Sequence, residues 1–246
     1  MNVYYVNSEG YNPNGIISAV RNAYAMAKKD SNIKKITLLV GVASQYSILE
    51  PLQIDKKSIA NGGFVLGNIA FQIRTLKTYH QEYLFAGREP SEILVPLYVP
   101  AKDLYRFEDY SDIARWIVLP WLKNEMVSFL SIHEAKDIET GVSMPSPGEI
   151  DGRIANGIDF LRDYAYPNQG FVNASDEDYL KSVANTLREM HIAINYDQVV
   201  YYCLNHGFLP HVARKVADYF VLAQTHNLQT RYIKTDMISI LNASRG

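Results

Sequence analysis

Side chains able to hold a small polar or anionic ligand fall in three short stretches of this 246-residue chain. The first is NSEGYNPNG, which supplies Asn7, Ser8, Asn12, Asn14 and Gly15 just ahead of a helical pattern. Unpaired amides and the positive end of the dipole at a helix start suit a phosphate or carboxylate, although Asn12 or Asn14 would also serve as a plain helix cap. The second is GVASQ, where Gly41, Ser44 and Gln45 combine close backbone access with hydrogen-bonding groups. The third is Pro120 and Trp121, whose indole could stack on a ring. None of these is a nucleotide signature: GxGxxG is missing, and no glycine-rich loop ends in Gly-Lys-Ser/Thr. GVASQ also departs from the GxSxG elbow of serine hydrolases.

Catalytic residues cannot be assigned. Glu9, Glu50 and Asp55 fall in loop-like stretches, but loops carry carboxylates for solvation, and no histidine is tied to them by spacing. Whether the protein is an enzyme stays open, and no cofactor is indicated. A metal site is not expected: His206 and His211 are five residues apart, and His133-Glu134 is not followed by the second histidine of HExxH. Cys203 is the one cysteine, which excludes an internal disulfide, and its neighbours Tyr201, Tyr202 and Leu204 suggest a buried thiol.

Positioning such residues requires a fold, and the composition bounds it. Hydrophobic residues make up 48% and charged residues 20%, enough apolar content for one large core or two modest ones. With 24 basic and 26 acidic residues, neither half is a polycation, which argues against binding a nucleic-acid backbone. Asp197 to Gln224 has the outline of a helix-turn-helix, yet its second helix offers only Arg214 and Lys215 beside Asp218. No apolar run approaches the ~18 residues of a membrane span, and the opening NVYYV is strand-like, not a leader. A cytoplasmic protein is the expectation.

Lys34 to Gln45 is the stretch around which the first half is organised. Ile36 to Val40 is a short unbroken apolar run, the habit of a strand buried on both faces of a parallel sheet. Before it, residues 2 to 6 read as a strand and Ile16, Val20, Ala23 or Tyr24, and Ala27 recur at helical spacing, so the first 41 residues predict a βαβ unit. Tyr46 to Gln53 suits a short helix. Phe64 to Leu76 fits both periodicities, and its glycines and β-branched residues favour a strand. Lys77 to Glu92 reads as a solvated polar excursion, with Arg74, Thr75, Lys77 and His80 on or beyond the strand end. Glu92 to Val99 predicts a strand that Pro96 should confine to an edge or a bulge. Trp116 to Leu119 predicts a further strand, and Leu122, Met126, Phe129, Leu130 and His133 mark a helix face.

The composition changes once, at IETGVSMPSPG, where proline, glycine and serine replace apolar residues. Beyond it only helical stripes remain: Ile150 to Ala165, a helix capped by Ser175 with Asp176, Glu177 and Asp178 in its first turn, then Asp197 to Asn205, Pro210 to Thr225, and a last one through Ile233, Met237, Ile240 and Leu241.

The expected architecture is a Rossmann-like α/β domain over 1–138, an open and mainly parallel sheet of about five strands. A linker over 139–148 and an all-helical domain over 149–246 complete it. In such sheets ligands bind at the carboxyl ends of the strands. The sequence therefore suggests a binding or sensing protein whose small anionic or polar ligand sits among Asn7, Ser8, Asn12, Asn14, Gly15, Gly41, Ser44, Gln45 and Trp121, coupled to a helical interaction domain. The alternatives are an enzyme acting on a nucleotide-like or phosphorylated substrate in the same cleft, and a structural homo-oligomer. Expected partners are a small molecule and a second copy or another protein, with no membrane and no nucleic acid.

Overall fold

A computed structural model describes residues 2–83, 91–107, 113–165, 170–171, 173–231 and 236–243. The chain forms two compact units, residues 1–145 and 146–246.

The first unit is a seven-stranded sheet in the order β3-β4-β2-β5-β6-β1-β7, with strands β1 (Asn2–Tyr5), β2 (Lys35–Val40), β3 (Gly63–Leu66), β4 (Ile69–Thr75), β5 (Glu92–Pro96), β6 (Ile113–Val118) and β7 (Lys136–Asp137). All pairings are parallel except β3 with β4. The open, mainly parallel sheet read from the sequence is therefore present, with seven strands in place of about five. The additions are local: Gly67 and Asn68 split the ambiguous Phe64–Leu76 stretch into a hairpin, and β7 is only two residues long.

Periodicity explains how the sheet is covered. Helix α1 (Pro13–Lys29) buries Ile16, Ala19, Ala23 and Ala27 at helical spacing. They join alternate sheet residues, among them Ile36 and Leu38 of β2, Phe71 and Ile73 of β4, Ile93 and Val95 of β5, and Ile117 of β6, in one core. The side chains between them, such as Leu39, Leu94, Trp116 and Val118, are buried as well. A sheet covered on both faces accounts for the unbroken apolar runs.

Long-range strand order refines two expectations. β1 and β2 are not neighbours, because β5 and β6 lie between them, so the opening βαβ spans a gap. Likewise β5 lies between β2 and β6, away from either edge, despite Pro96. Pro96 is the last residue of the strand, opposite Leu39, and its carbonyl still accepts from the Leu119 amide at 3.0 Å. At that position the missing N–H interrupts little. A shift in register between Glu92 and Ile93 supplies the irregularity at the other end.

The connections differ from expectation in kind. Ala43–Leu52 is a 3-10 segment, and Lys56–Ala60 (α2) is a turn of helix capped by Asp55 through the Ser58 amide. The anticipated polar excursion begins as helix α3 (Leu76–Tyr83), while its remainder, 84–90, lies outside the described residues. Between β5 and β6 come α4 (Ala101–Leu104) and a 3-10 turn, Tyr105–Phe107. After β6 a 3-10 turn, Lys123–Met126, leads into α5 (Val127–Ile132). In the Pro/Gly-rich stretch, Ser143 bridges to Lys136, the Met144 amide donates to the Ala135 carbonyl, and Ser131 donates to the Pro145 carbonyl, so the chain up to residue 145 is held by the first unit.

The second unit consists, in its described residues, of helices α6 (Gly152–Tyr164), α7 (Ala174–Glu189), α8 (Tyr196–Asn205), α9 (Pro210–Ala223) and α10 (Met237–Leu241). Their inward stripes, including Ile154, Ile158 and Leu161, Leu180, Val183 and Leu187, and Val212, Val216 and Phe220, meet in one core. Helix α7 has Asn173, not Ser175, at its N-cap position, without a side-chain cap bond, and Asp176 and Glu177 in its first turn. Ile233 lies outside the described residues. No helix among the described residues is long and apolar enough to cross a membrane.

Candidate functional site

The three stretches picked out by residue type do not form one site. Two of them meet. Asn12 caps α1: its side-chain oxygen accepts from the Gly15 amide at 3.0 Å, and its side-chain amide donates to Ser8 at 2.9 Å. The Asn12 backbone amide donates to the Tyr98 hydroxyl at 2.8 Å, and the Gly10 amide donates to the Trp121 carbonyl. Tyr98, at a φ of 58°, stands edge-on to the Trp121 ring, 5.3 Å between centroids. Burial raises the Tyr98 pKa, opposed by the Asn12 hydrogen bond. The loops after β1 and β6 thus close on each other through the loop after β5. Asn7 and Asn14 point to solvent, Ser8 and Gly15 are buried, and Trp121 remains half exposed.

Gly41, Ser44 and Gln45 sit elsewhere. They follow β2, three strand positions from β1, a separation of about 14 Å. Gln45 turns back on its own loop, accepting from the Val42 amide at 3.2 Å, and Ser44 and Gln45 are exposed. A Cβ at Gly41 would lie 2.7 Å from the Gln45 side-chain oxygen, so the glycine makes room for that local bond.

What the fold does assemble is a cleft of about 460 Å³ lined by Gly41, Val42, Leu76, Lys77, His80, Gln81, Asp103, Arg106 and Phe107. Three connections converge there. Gly41 and Val42 follow β2; Lys77 and His80 belong to α3, which follows β4 without a loop; Asp103, Arg106 and Phe107 follow β5. β4, β2 and β5 are neighbours in the sheet, and the chain leaves β2 toward β4 but leaves β5 toward β6 on the other side. Divergence of adjacent connections opens a crevice at the carboxyl ends of the strands, the usual ligand position in this architecture.

Local sequence fixes the walls. Thr75 and Thr78 begin α3 by reciprocal bonds, the Thr75 amide to the Thr78 hydroxyl at 2.9 Å and the Thr78 amide to the Thr75 hydroxyl at 3.3 Å, an arrangement like a capping box. That start sets Lys77 and His80 on one side of the helix, three residues apart. Phe107 is buried and anchors the opposite wall, edge-on to Tyr79 at 5.2 Å and 6.4 Å from the His80 ring. Asp103 and Arg106 approach only to 4.0 Å, and Arg106 is 68% exposed, so its guanidinium is not committed to that pair. Two permanent cations, one histidine and one carboxylate line the cleft, an excess of positive charge suited to an anion.

Of the residues picked out as ligand contacts, Gly41 alone lines this cleft. Lys77 and His80 stood out in the sequence only as polar residues beyond a strand end, and Asp103 and Arg106 carried no signal. The threonine pair ahead of YHQ was the readable clue to α3. Among the described residues no three His, Cys, Asp or Glu side chains gather as a metal ion would need. Burial pushes the Cys203 thiol up, away from the reactive thiolate. Comparison with protein families, with curated proteins and with solved structures finds no match to this chain.

Proposed function

We propose that the first unit binds a small anionic ligand, bearing a phosphate or carboxylate, in the cleft at the carboxyl ends of β4, β2 and β5. The observation that carries this reading is the convergence of Lys77 and Arg106, from two different connections, on one cleft at a topological switch point. Lys77 supplies a point charge and Arg106 a planar fork that matches an oxyanion. His80 adds a third polar side chain to the same cleft. Gly41 and Val42 leave the end of β2 open to close approach by the ligand.

The test is calorimetric titration of the whole chain with inorganic phosphate, ribose 5-phosphate and ATP at low and high salt. Saturable, salt-weakened binding of at least one probe is expected. The double substitution Lys77→Ala, Arg106→Ala should remove it while leaving the thermal midpoint nearly unchanged, since both side chains are exposed. Binding that survives the double substitution, or no binding of any probe at millimolar concentration, would refute the assignment.

A further inference from the structure

A second cavity, of about 420 Å³, opens on the same unit away from the anion cleft, with no lining residue in common. Its walls come from three elements: Ile17 and Tyr24 of α1, Leu52 at the end of the 3-10 segment, and Phe64 and Leu66 of the β3 hairpin strand. The floor is aromatic. Phe64 and Phe71 stack face to face, with centroids 4.8 Å apart and planes 4° from parallel, and Tyr24 lies 6.1 Å from Phe71. The lining is left partly uncovered: Ile17 is 40% and Leu66 47% exposed. A face of α1 that carries Ile17 beside half-buried Val20 and Tyr24 is wider than the stripe needed to bury the helix on the sheet.

The charge around this cavity selects its occupant. Arg21, exposed on α1 between Val20 and Asn22, is the one charged side chain in the lining. A concave, mainly apolar volume with a few polar groups, here Arg21 and Gln53, is the usual form of a small-molecule site, and 420 Å³ is within the size range of such pockets. A wholly apolar ligand would gain nothing from the guanidinium, and a highly charged one would strand its charge over the aromatic floor. We infer that this cavity binds a small amphipathic acid, an aromatic or aliphatic body seated on Phe64, Phe71 and Tyr24 with one carboxylate turned out to Arg21. The ligand class differs from that of the anion cleft, because here apolar area supplies the affinity and the charge fixes only the orientation.

Titration of the whole chain with 4-phenylbutyrate, and with 4-phenylbutan-1-ol as its uncharged counterpart, tests the assignment. One saturable site is expected for the acid. Arg21→Gln should weaken the acid roughly three- to tenfold and leave the alcohol unaffected. Ile17→Trp, at a half-exposed position, should fill the cavity and weaken both probes together. Lys77→Ala, Arg106→Ala should change neither, which separates this site from the anion cleft. Unchanged thermal midpoints in the two cavity variants would show that they fold. The inference is overturned by absence of saturable binding at 10 mM probe on the order of a weak fragment's range, or by binding indifferent to both Arg21→Gln and Ile17→Trp. It is also overturned by a dimer in light scattering that Ile17→Trp dissociates, since a second copy would then cover this face.

Discussion

Lys35→Met should expose how the sheet tolerates a buried carboxylate. Glu92, the first residue of β5, is fully buried, and its cationic partner among the described residues is Lys35 on the neighbouring strand at 2.8 Å. Burial raises the Glu92 pKa; Lys35 and the hydroxyls of Thr37 and Tyr79 oppose the rise. A methionine keeps most of the lysine's length and removes its charge, so in the variant the carboxyl must either stay ionised without a counter-charge or take up a proton. The second course limits the cost. Protonating a group whose unfolded pKa is about 4.3 at pH 7 costs up to about 3.7 kcal/mol, at about 1.36 kcal/mol per pH unit. The full loss is smaller by whatever the raised pKa already costs the parent protein.

The sign of the pH dependence follows from the same residue. A carboxyl whose folded pKa lies above its unfolded one contributes its full stability below about pH 4.3 and loses it as pH rises toward the folded value. The substitution moves the folded value higher still. The difference in unfolding free energy between the two proteins should therefore grow with pH, and be smaller at pH 5 than at pH 7 by up to about 2.7 kcal/mol. Urea unfolding followed by circular dichroism at pH 5, 6, 7 and 8 measures it. Lys35→Met, Glu92→Leu, which removes both charges, should recover most of the loss at pH 7. A penalty that is constant over this range, or a double variant no more stable than the single one, would refute the account of Glu92.

Two further outcomes test the helical unit and the division of the chain. Gly157→Ala should destabilise by about 1–3 kcal/mol in chemical unfolding although alanine is the better helix former, because its Cβ would lie 2.6 Å from Val183 Cγ1 and 3.1 Å from Leu241 Cδ2; a neutral or stabilising result would mean that α7 gives way at that contact. On the proposal that the two units fold independently, limited proteolysis should cut first between Pro145 and Ile150, since hydrogen bonds hold the chain up to residue 145 and α6 begins at Gly152; first cleavage within α9 would count against that proposal.

Periodicity and capping are local properties, and they made much of this chain legible in one dimension. Ile16, Ala23 and Ala27 marked α1, although the residue buried between them is Ala19 and not the Val20 read from the spacing; the run Ile36–Val40 marked a doubly covered strand, and the stripes after residue 150 a helical unit, because each pattern depends only on residues a few positions apart. Asn12 was readable as a cap for the same reason. Strand order was not readable: it depends on which distant segments pair, and nothing within β1 or β2 records that β5 and β6 come between them. That order placed Pro96 in the middle of the sheet, kept Ser44 and Gln45 apart from Asn7 and Ser8, and drew Lys77 and Arg106, 29 positions apart in the sequence, onto one cleft. The sequence alone determined an open, mainly parallel α/β sheet followed by helices, and with it the strand ends as the place to look for a ligand. Which strand ends became neighbours, and so which side chains line the cleft, was decided only by long-range pairing, whose energy lies in contacts between residues far apart along the chain.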